Sequence, residues 1–154
     1  MSGIYGVWKD GELIATTDRM RLQKWNEAYG VKSETATIEN LFLGCTQSRY
    51  SEEMPGSTPV LRNGSKYAII DALLFNREEI KGKSGLSEEL SDEELLFLYI
   101  EKFGYEALKE VNGDFAGAIY DEEMNSMTLF RDHMGVRPLF VYNQKGILAF
   151  STDI

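Results

Sequence analysis

The sequence contains almost none of the residues that build disulfides and metal centres. Its 154 residues include one cysteine, Cys45, and one histidine, His133. An internal disulfide, a cysteine-rich zinc site and a multi-histidine centre are therefore excluded, and we expect no metal in this domain. A lone cysteine of this kind is typically a small apolar residue that fills a core.

Long apolar stretches and positive charge are also scarce. No apolar run approaches the roughly 20 residues that a membrane-spanning helix needs, and the first residues lack the basic segment and long apolar run of a signal peptide. The 16 Lys and Arg residues stand against 25 Asp and Glu, a net charge of −9. Because phosphate backbones bind basic surfaces, we expect no nucleic-acid partner. From the missing membrane-spanning run and signal peptide we expect no membrane partner and a cytoplasmic location.

What the sequence does contain is typical of a globular protein. Hydrophobic residues make up 43% of the chain and charged residues 27%, which excludes disorder. The length suits one domain over residues 1–154. The last residues directly follow a predicted strand with no terminating element, so we expect the domain to be cut from a longer protein.

Local signals predict strands and helices in alternating groups. Asp10-Gly11 and Asn63-Gly64 each separate apolar stretches, as hairpin turns do, and Ser91 followed by Glu94 forms a capping box at a helix start. Residues 81–90 are Gly-, Ser- and Glu-rich and are expected to be mobile. The predicted strands are Ile4–Trp8, Leu13–Ala15, Thr35–Thr46, Val60–Arg62, Tyr67–Leu74, Asp114–Tyr120, Met127–Arg131, Leu139–Tyr142 and Ile147–Phe150, and the predicted helices are Arg21–Tyr29, Asn76–Ile80, Ser91–Phe103 and Tyr105–Val111. This order favours an α+β domain with antiparallel sheets.

Three parts of the chain resemble the class II glutamine amidotransferases. Met1–Gly6 looks like the family's Met-Cys-Gly-Ile-x-Gly start, and Ser91–Glu94 resembles its Ser-Asp-x-Glu helix start. Asn112–Asp121 together with Arg131–Leu139 is similar to the asparagine synthetase version of the domain. The resemblance implies an N-terminal-nucleophile (Ntn) hydrolase fold, which is a four-layer αββα sandwich of two antiparallel sheets with helices on both outer sides.

The resemblance also implies an activity and a partner. In the family this domain hydrolyses glutamine and passes ammonia to a C-terminal synthetase domain of the same chain. That second domain uses ATP and Mg to activate a carboxylate, whereas the glutaminase domain itself needs no cofactor.

The residue at the family's nucleophile position is Ser2 instead of cysteine. In this type of catalysis the first residue of the mature chain attacks the amide, and its own α-amine, with a pKa of about 8, is the base. A hydroxyl is less acidic than a thiol and needs stronger base assistance. If Met1 is retained, residue 2 has an amide nitrogen and therefore no base.

The oxyanion and substrate positions also depart from the family pattern. The segment matching Asn-Gly-Glu reads Asp71, Ala72 and Leu73. An acid at position 71 replaces a hydrogen-bond donor by an acceptor, and two like charges about 4 Å apart repel by about 4 kcal/mol at an effective dielectric near 20. Leu73 has no group that could accept a proton from the substrate ammonium.

The family's carboxylate-binding arginine has no direct counterpart. Gln47 aligns with it, and Arg49 lies two residues on, on the same face of a strand. Asp92 matches the family acid that holds the α-amine, and it is equally suited to a helix start. The remaining acidic residues near it, Glu88, Glu89, Glu93 and Glu94, are expected to be a solvated helix start.

The sequence leaves three functions open. The first is a degenerate glutaminase-like domain with a structural or docking role for an ATP-dependent amide-forming domain. The second is an active amidohydrolase that releases ammonia from glutamine with Ser2 as nucleophile. The third is a stand-alone amino-acid-binding module that uses Asp92. Homodimer formation, removal of Met1 and the molecules joined by the parent enzyme are not determined by the sequence.

Overall fold

The computed structural model describes residues 3–29, 32–47, 60–87 and 89–153. The strands are β1 Gly3–Lys9, β2 Lys32–Ile38, β3 Leu41–Gln47, β4 Leu61–Asn63, β5 Lys66–Leu74, β6 Gly113–Asp121, β7 Ser126–Arg131, β8 Phe140–Gln144 and β9 Ile147–Ser151. The helices are α1 Thr16–Tyr29, α2 Arg77–Ser84 and α3 Asp92–Phe103, followed by a 3-10 helix, Tyr105–Glu110.

The strands form two antiparallel sheets. One has five strands in the order β2-β3-β1-β9-β8, and the other has four in the order β4-β5-β6-β7. Every strand pair is antiparallel. The predicted fold class is confirmed.

Alternation of side chains along the strands produces the layers. Ile4, Leu41 and Leu43 belong to the core between the sheets, whereas the neighbouring Tyr5 and Phe42 point to the other face of the same sheet. There they pack with side chains from the segment around α1. Buried side chains of β5 and β6 that point away from the first sheet pack against α2, α3 and the 3-10 helix. The result is the expected order of helix, sheet, sheet and helix.

The start of α3 has the predicted capping box. The Glu94 backbone N–H donates to Ser91 Oγ at 3.2 Å, and the Ser91 N–H donates to Glu94 Oε2 at 2.8 Å. These bonds satisfy donors that a helix leaves unpaired at its first turn. The buried side chains of the helix are Leu95, Leu96, Phe97, Tyr99 and Ile100.

Two strand predictions are wrong. Thr35–Thr46 is not a single strand but the hairpin β2–β3, since the chain turns at Glu39-Asn40. The turn is fixed because the Lys9 N–H donates to the Asn40 carbonyl at 2.9 Å. Leu13–Ala15 is not a return strand, because both edges of β1 are already occupied by β3 and β9. Ile14 instead packs against Tyr5 and Phe42.

The segment expected to be mobile is partly helical. Helix α2 continues to Ser84, and Gly85 ends it in the left-handed conformation with φ of 68°. Its N–H donates to the Lys81 carbonyl at 3.1 Å, an ending that favours glycine because the residue lacks a Cβ. Helix α1 begins at Thr16, five positions before the predicted Arg21.

Candidate functional site

The candidate site lies where β5 ends. Asp71 and Leu73 alternate with Ala72 and Leu74, so the two pairs point to opposite faces of the four-stranded sheet. Ala72 and Leu74 face the helices. Asp71 and Leu73 therefore point toward the other sheet, on the same side as Ile69 of the inter-sheet core. The strand brings the three residues of the predicted oxyanion segment together, with the first and third on one face.

Asp71 is buried and has a charged partner. Its side chain is 5% exposed, and its Oδ2 lies 3.1 Å from Nη1 of Arg137, whose side chain is 22% exposed. A buried carboxylate is costly without such a partner. Leu73, two residues on, is 50% exposed. An ion pair and an exposed apolar side chain thus stand side by side at the end of the strand.

A tight loop holds the backbone of Arg137 in place. The carboxylate of Asp132, which is itself buried, accepts the N–H of Val136 at 2.9 Å and the N–H of Arg137 at 3.0 Å. It also accepts the N–H of Phe115 on β6 at 3.4 Å. Burial acts to raise the pKa of Asp132, but the backbone N–H groups of Arg137, Val136, Phe115 and Gly135 outweigh it, and the pKa is lowered. The loop is therefore anchored to the strand that pairs with β5.

Asp92 joins the start of α3 to the end of β5. Its Oδ2 accepts the backbone N–H of Leu74 at 2.8 Å, and its Oδ1 pairs with the guanidinium of Arg77. The same guanidinium donates to the Leu90 carbonyl. The Asp92 side chain is 17% exposed. Both oxygens of this carboxylate thus bind groups of the chain itself.

Glu93 is also part of this region, contrary to the expectation of a solvated acidic run. Burial raises the pKa of its carboxyl, and the charge of Asp71 acts in the same direction. Hydrogen bonds from its own N–H, the Ser91 hydroxyl and the Ala72 N–H act against the rise. Glu93 therefore lies beside Asp71 and Ala72 of the predicted oxyanion segment. The Ser91–Glu94 motif predicted that Glu93 lies at a helix start, but it did not indicate that Glu93 lies beside β5. That proximity depends on how α3 packs against the sheet.

Backbone packing leaves no space at the end of β5 for a side chain on the paired strand. Gly113 pairs with Leu74, and a Cβ added at Gly113 would lie 2.4 Å from the carbonyl oxygen of Leu73. Only glycine permits this approach of the two strands. The position of the Leu73 carbonyl therefore depends on glycine at position 113.

The other predicted site residues are only partly described. Ser2 and Arg49 lie outside the described residues, as does Glu88 of the acidic run. Gln47 is the last residue of β3, opposite Lys32, and its side chain lies outside the described part. Gly3, directly after Ser2, begins β1. The partners of Ser2, Gln47 and Arg49 stay predictions.

Nothing in the sequence marks Arg137 as the partner of Asp71. A buried acid predicts a cation nearby, but the sequence gives no means of choosing among the arginines and lysines. Among the described residues, no group of three or more His, Cys, Asp and Glu side chains is placed to hold a metal ion. None of the described helices has the length and apolar character to cross a membrane.

A family model and several curated relatives are similar to this chain. The model for the glutamine amidotransferase domain matches residues 47–154. A putative asparagine synthetase [glutamine-hydrolyzing] of Methanocaldococcus jannaschii is 35% identical over 91 residues, covering 59% of this chain and 15% of that protein. A probable asparagine synthetase [glutamine-hydrolyzing] of Dictyostelium discoideum is 26% identical over 144 residues, covering 88% of this chain and 24% of that protein.

The fold is similar to that of a solved amidotransferase. The structure of glutamine phosphoribosylpyrophosphate amidotransferase from B. subtilis, complexed with ADP and GMP, superposes with a TM-score of 0.65 at 18% identity. The match covers 97% of this chain and 41% of that chain. Of the two asparagine synthetases described above, the chain spans less than a quarter of the length of each.

Proposed function

The chain belongs to the glutamine amidotransferase domain family, and from this premise we propose that it is the N-terminal domain of an asparagine synthetase-like protein whose glutaminase site is degenerate. The domain does not hydrolyse glutamine. Its role is to dock against an ATP- and Mg-dependent amide-forming domain of the same chain, which takes its nitrogen from free ammonia or another amine. The protein acts in the cytoplasm.

The observation that carries this proposal is the ion pair between Asp71 and Arg137. The family resemblance requires a hydrogen-bond donor at position 71 to stabilise the oxyanion of the tetrahedral intermediate. A carboxylate only accepts. Arg137 offsets its charge, so the repulsion of an oxyanion falls below the value for an unpaired acid, but the missing donor alone costs about 10²–10³ in rate. The side chain at position 71 is therefore paired within the protein, and it offers a substrate no hydrogen-bond donor.

Two neighbouring residues support the same reading. Leu73, where the family has Glu, exposes an apolar side chain that cannot bind the substrate ammonium. Asp92 accepts from Leu74 and pairs with Arg77, so each of its oxygens already takes part in a bond within the protein and its charge is already balanced by a guanidinium. This arrangement disfavours a stand-alone amino-acid-binding module.

Ammonia release from glutamine tests the inactive site. The intact mass is measured first, because retained Met1 rules out an α-amine base at Ser2. Wild-type protein and Ser2→Ala are then assayed with glutamine, and we expect equal background rates. Glutamine turnover that disappears in Ser2→Ala would contradict the proposal and establish the active amidohydrolase.

A thermal-shift titration with glutamine tests the binding module separately. A ligand that binds the folded state raises the melting temperature in a concentration-dependent manner. We expect no shift. A shift that is lost in Asp92→Ala, without glutamine turnover, would favour the amino-acid-binding function. The reading frame after Ile154 tests the docking role, which requires a nucleotide-binding domain to follow.

A further inference from the structure

Strand β8 is an edge strand with no cover on either face. It ends the five-stranded sheet, and all five of its residues are exposed. Val141 lies opposite Phe150, a buried residue of the inter-sheet core, and so points to the inter-sheet side. Val141 is nevertheless 53% exposed. Tyr142, on the other face, is 52% exposed. The covering layers therefore leave β8 open on both sides.

Two other edge strands, β4 and β7, do not share this character. Strand β4 has only three residues and carries Arg62, and the side chains of β7 are half-buried apart from its two ends and Phe130. Natural edge strands are usually short, charged or covered, because an open edge pairs with other chains. The sequence of β8, Phe-Val-Tyr-Asn-Gln, has no charge at all. An unprotected edge of this kind is typical of a docking surface.

The apolar surface continues into the loop that holds the site. Met134 is 86% exposed and Val136 is 56% exposed, and they lie three residues and one residue before Arg137, the partner of Asp71. In a chain with a net charge of −9, residues 133–152 contain no Asp or Glu. This stretch thus lacks the acidic charge found elsewhere in the chain, and its exposed large apolar side chains are Met134, Val136, Phe140, Val141 and Tyr142.

The path of the chain at the end of β9 indicates which polypeptide would cover β8. Ser151, the last residue of β9, lies opposite Phe140, the first residue of β8. Asp153, the last described residue, therefore follows a strand that neighbours β8 directly. The similar asparagine synthetases are more than four times as long as the part of them that this chain matches. A domain tethered at this point has a high effective concentration at β8.

We propose that β8 and the loop residues Met134 and Val136 form the docking surface for the synthetase-type domain that follows in the parent protein, with an extended apolar segment of that domain pairing along β8. This inference rests on the proposed function. Pairing of this kind would use the open backbone groups of the edge for affinity and the alternate side chains for specificity. It would also place the second domain next to the Asp71–Arg137 pair.

Photo-crosslinking of the full-length parent protein tests this surface. Tyr142→p-benzoylphenylalanine keeps an aromatic side chain on β8, and Met124→p-benzoylphenylalanine, on the β6–β7 turn where Met124 is 74% exposed, is the matched control. We expect crosslinks within one molecule from position 142 to residues beyond 154, and none from position 124. Crosslinks from 142 to a second copy, or no crosslink from 142, would overturn the proposal.

Limited proteolysis provides an independent readout. Val141→Glu places a charge on the docking surface, and Met124→Glu places one elsewhere. Loss of the apolar contact made by the Val141 side chain lowers the docked population on the order of tenfold. We therefore expect cleavage between the domains to be about tenfold faster in Val141→Glu than in the wild type. Equal rates for the two variants would overturn the proposal.

The outcomes separate the two proposals. Glutamine hydrolysis by the parent protein would contradict the degenerate site and leave the crosslinking result standing. If a domain follows but does not crosslink to β8, only the docking surface is contradicted, whether or not the site is active. A reading frame without a following domain would overturn the docking role and the surface together.

Discussion

The ion pair between Asp71 and Arg137 allows the strongest test of how the end of β5 is stabilised. At 3.1 Å and an effective dielectric of about 20, the attraction of two unit charges is about 5 kcal/mol. Desolvation of both groups offsets much of this, so the net value of the pair is smaller. Removal of one partner is a different perturbation, since it leaves the other charge buried. We expect Arg137→Ala to lower the free energy of unfolding by about 3–5 kcal/mol.

A double-mutant cycle separates the charge from the packing of the arginine. Asp71→Asn and Arg137→Met are made singly and together, and the free energy of unfolding is measured by urea denaturation followed by circular dichroism. We expect a coupling energy of about 2 kcal/mol or more, because the double variant contains no buried unpaired charge. The midpoint should shift without a change in slope.

An exposed ion pair in the same protein is the matched control. Lys109 and Glu106 form a pair with side chains 73% and 86% exposed. Lys109→Ala should leave the free energy of unfolding within error of the wild type, because water screens such pairs. Additive effects of Asp71→Asn and Arg137→Met, or an Arg137→Ala protein as stable as Lys109→Ala, would refute the reasoning about the buried pair.

Two further predictions concern the backbone around the site. Gly113→Ala should lower the free energy of unfolding by about 1–3 kcal/mol, because its Cβ would lie 2.4 Å from the Leu73 carbonyl oxygen. The control Gly82→Ala on α2, where nothing lies within 4 Å of the added Cβ, should instead raise the free energy of unfolding by about 0.5–1 kcal/mol. Equal effects of the two substitutions in urea denaturation would contradict this. The lowered pKa of Asp132 contributes stability that is fully present above the unfolded pKa of about 3.9 and is lost as pH falls through the folded pKa. Asp132→Asn should therefore reduce stability at pH 7 and flatten the acid limb of a stability-against-pH curve, and an acid limb as steep as that of the wild type would argue against the assignment.

The elements that were predicted correctly have their causes close together in the sequence. The capping box joins Ser91 and Glu94 within one helical turn, and the Asn63-Gly64 turn joins β4 to β5 with Leu61 opposite Ala68. The apolar stretch Tyr67–Leu74 likewise predicted a strand, which the structure has as β5, Lys66–Leu74. In each case neighbouring residues are sufficient, because the interaction forms within a turn or along a single strand.

The errors have a different cause. The Asp10-Gly11 turn predicted a hairpin from a local signal, but β1 pairs instead with β3 and with β9 near the other end of the chain. The expectation of a solvated side chain was wrong at Glu93 for the same reason, since Glu93 lies beside Ala72 only after α3 packs against β5. Competition among distant partners overrides a local preference when the distant pairing buries more apolar surface.

The sequence by itself determined the class of the fold and the family motifs, and it predicted a degenerate site from Ser2, Asp71 and Leu73. Only the tertiary structure decided that the acid at position 71 is neutralised by Arg137, that Asp92 is bound to the end of β5 and that β8 is left without cover. Residue types and short-range spacing specify turns, caps and buried faces, whereas the pairing of charges and the exposure of an edge depend on which distant segments the packed layers bring together.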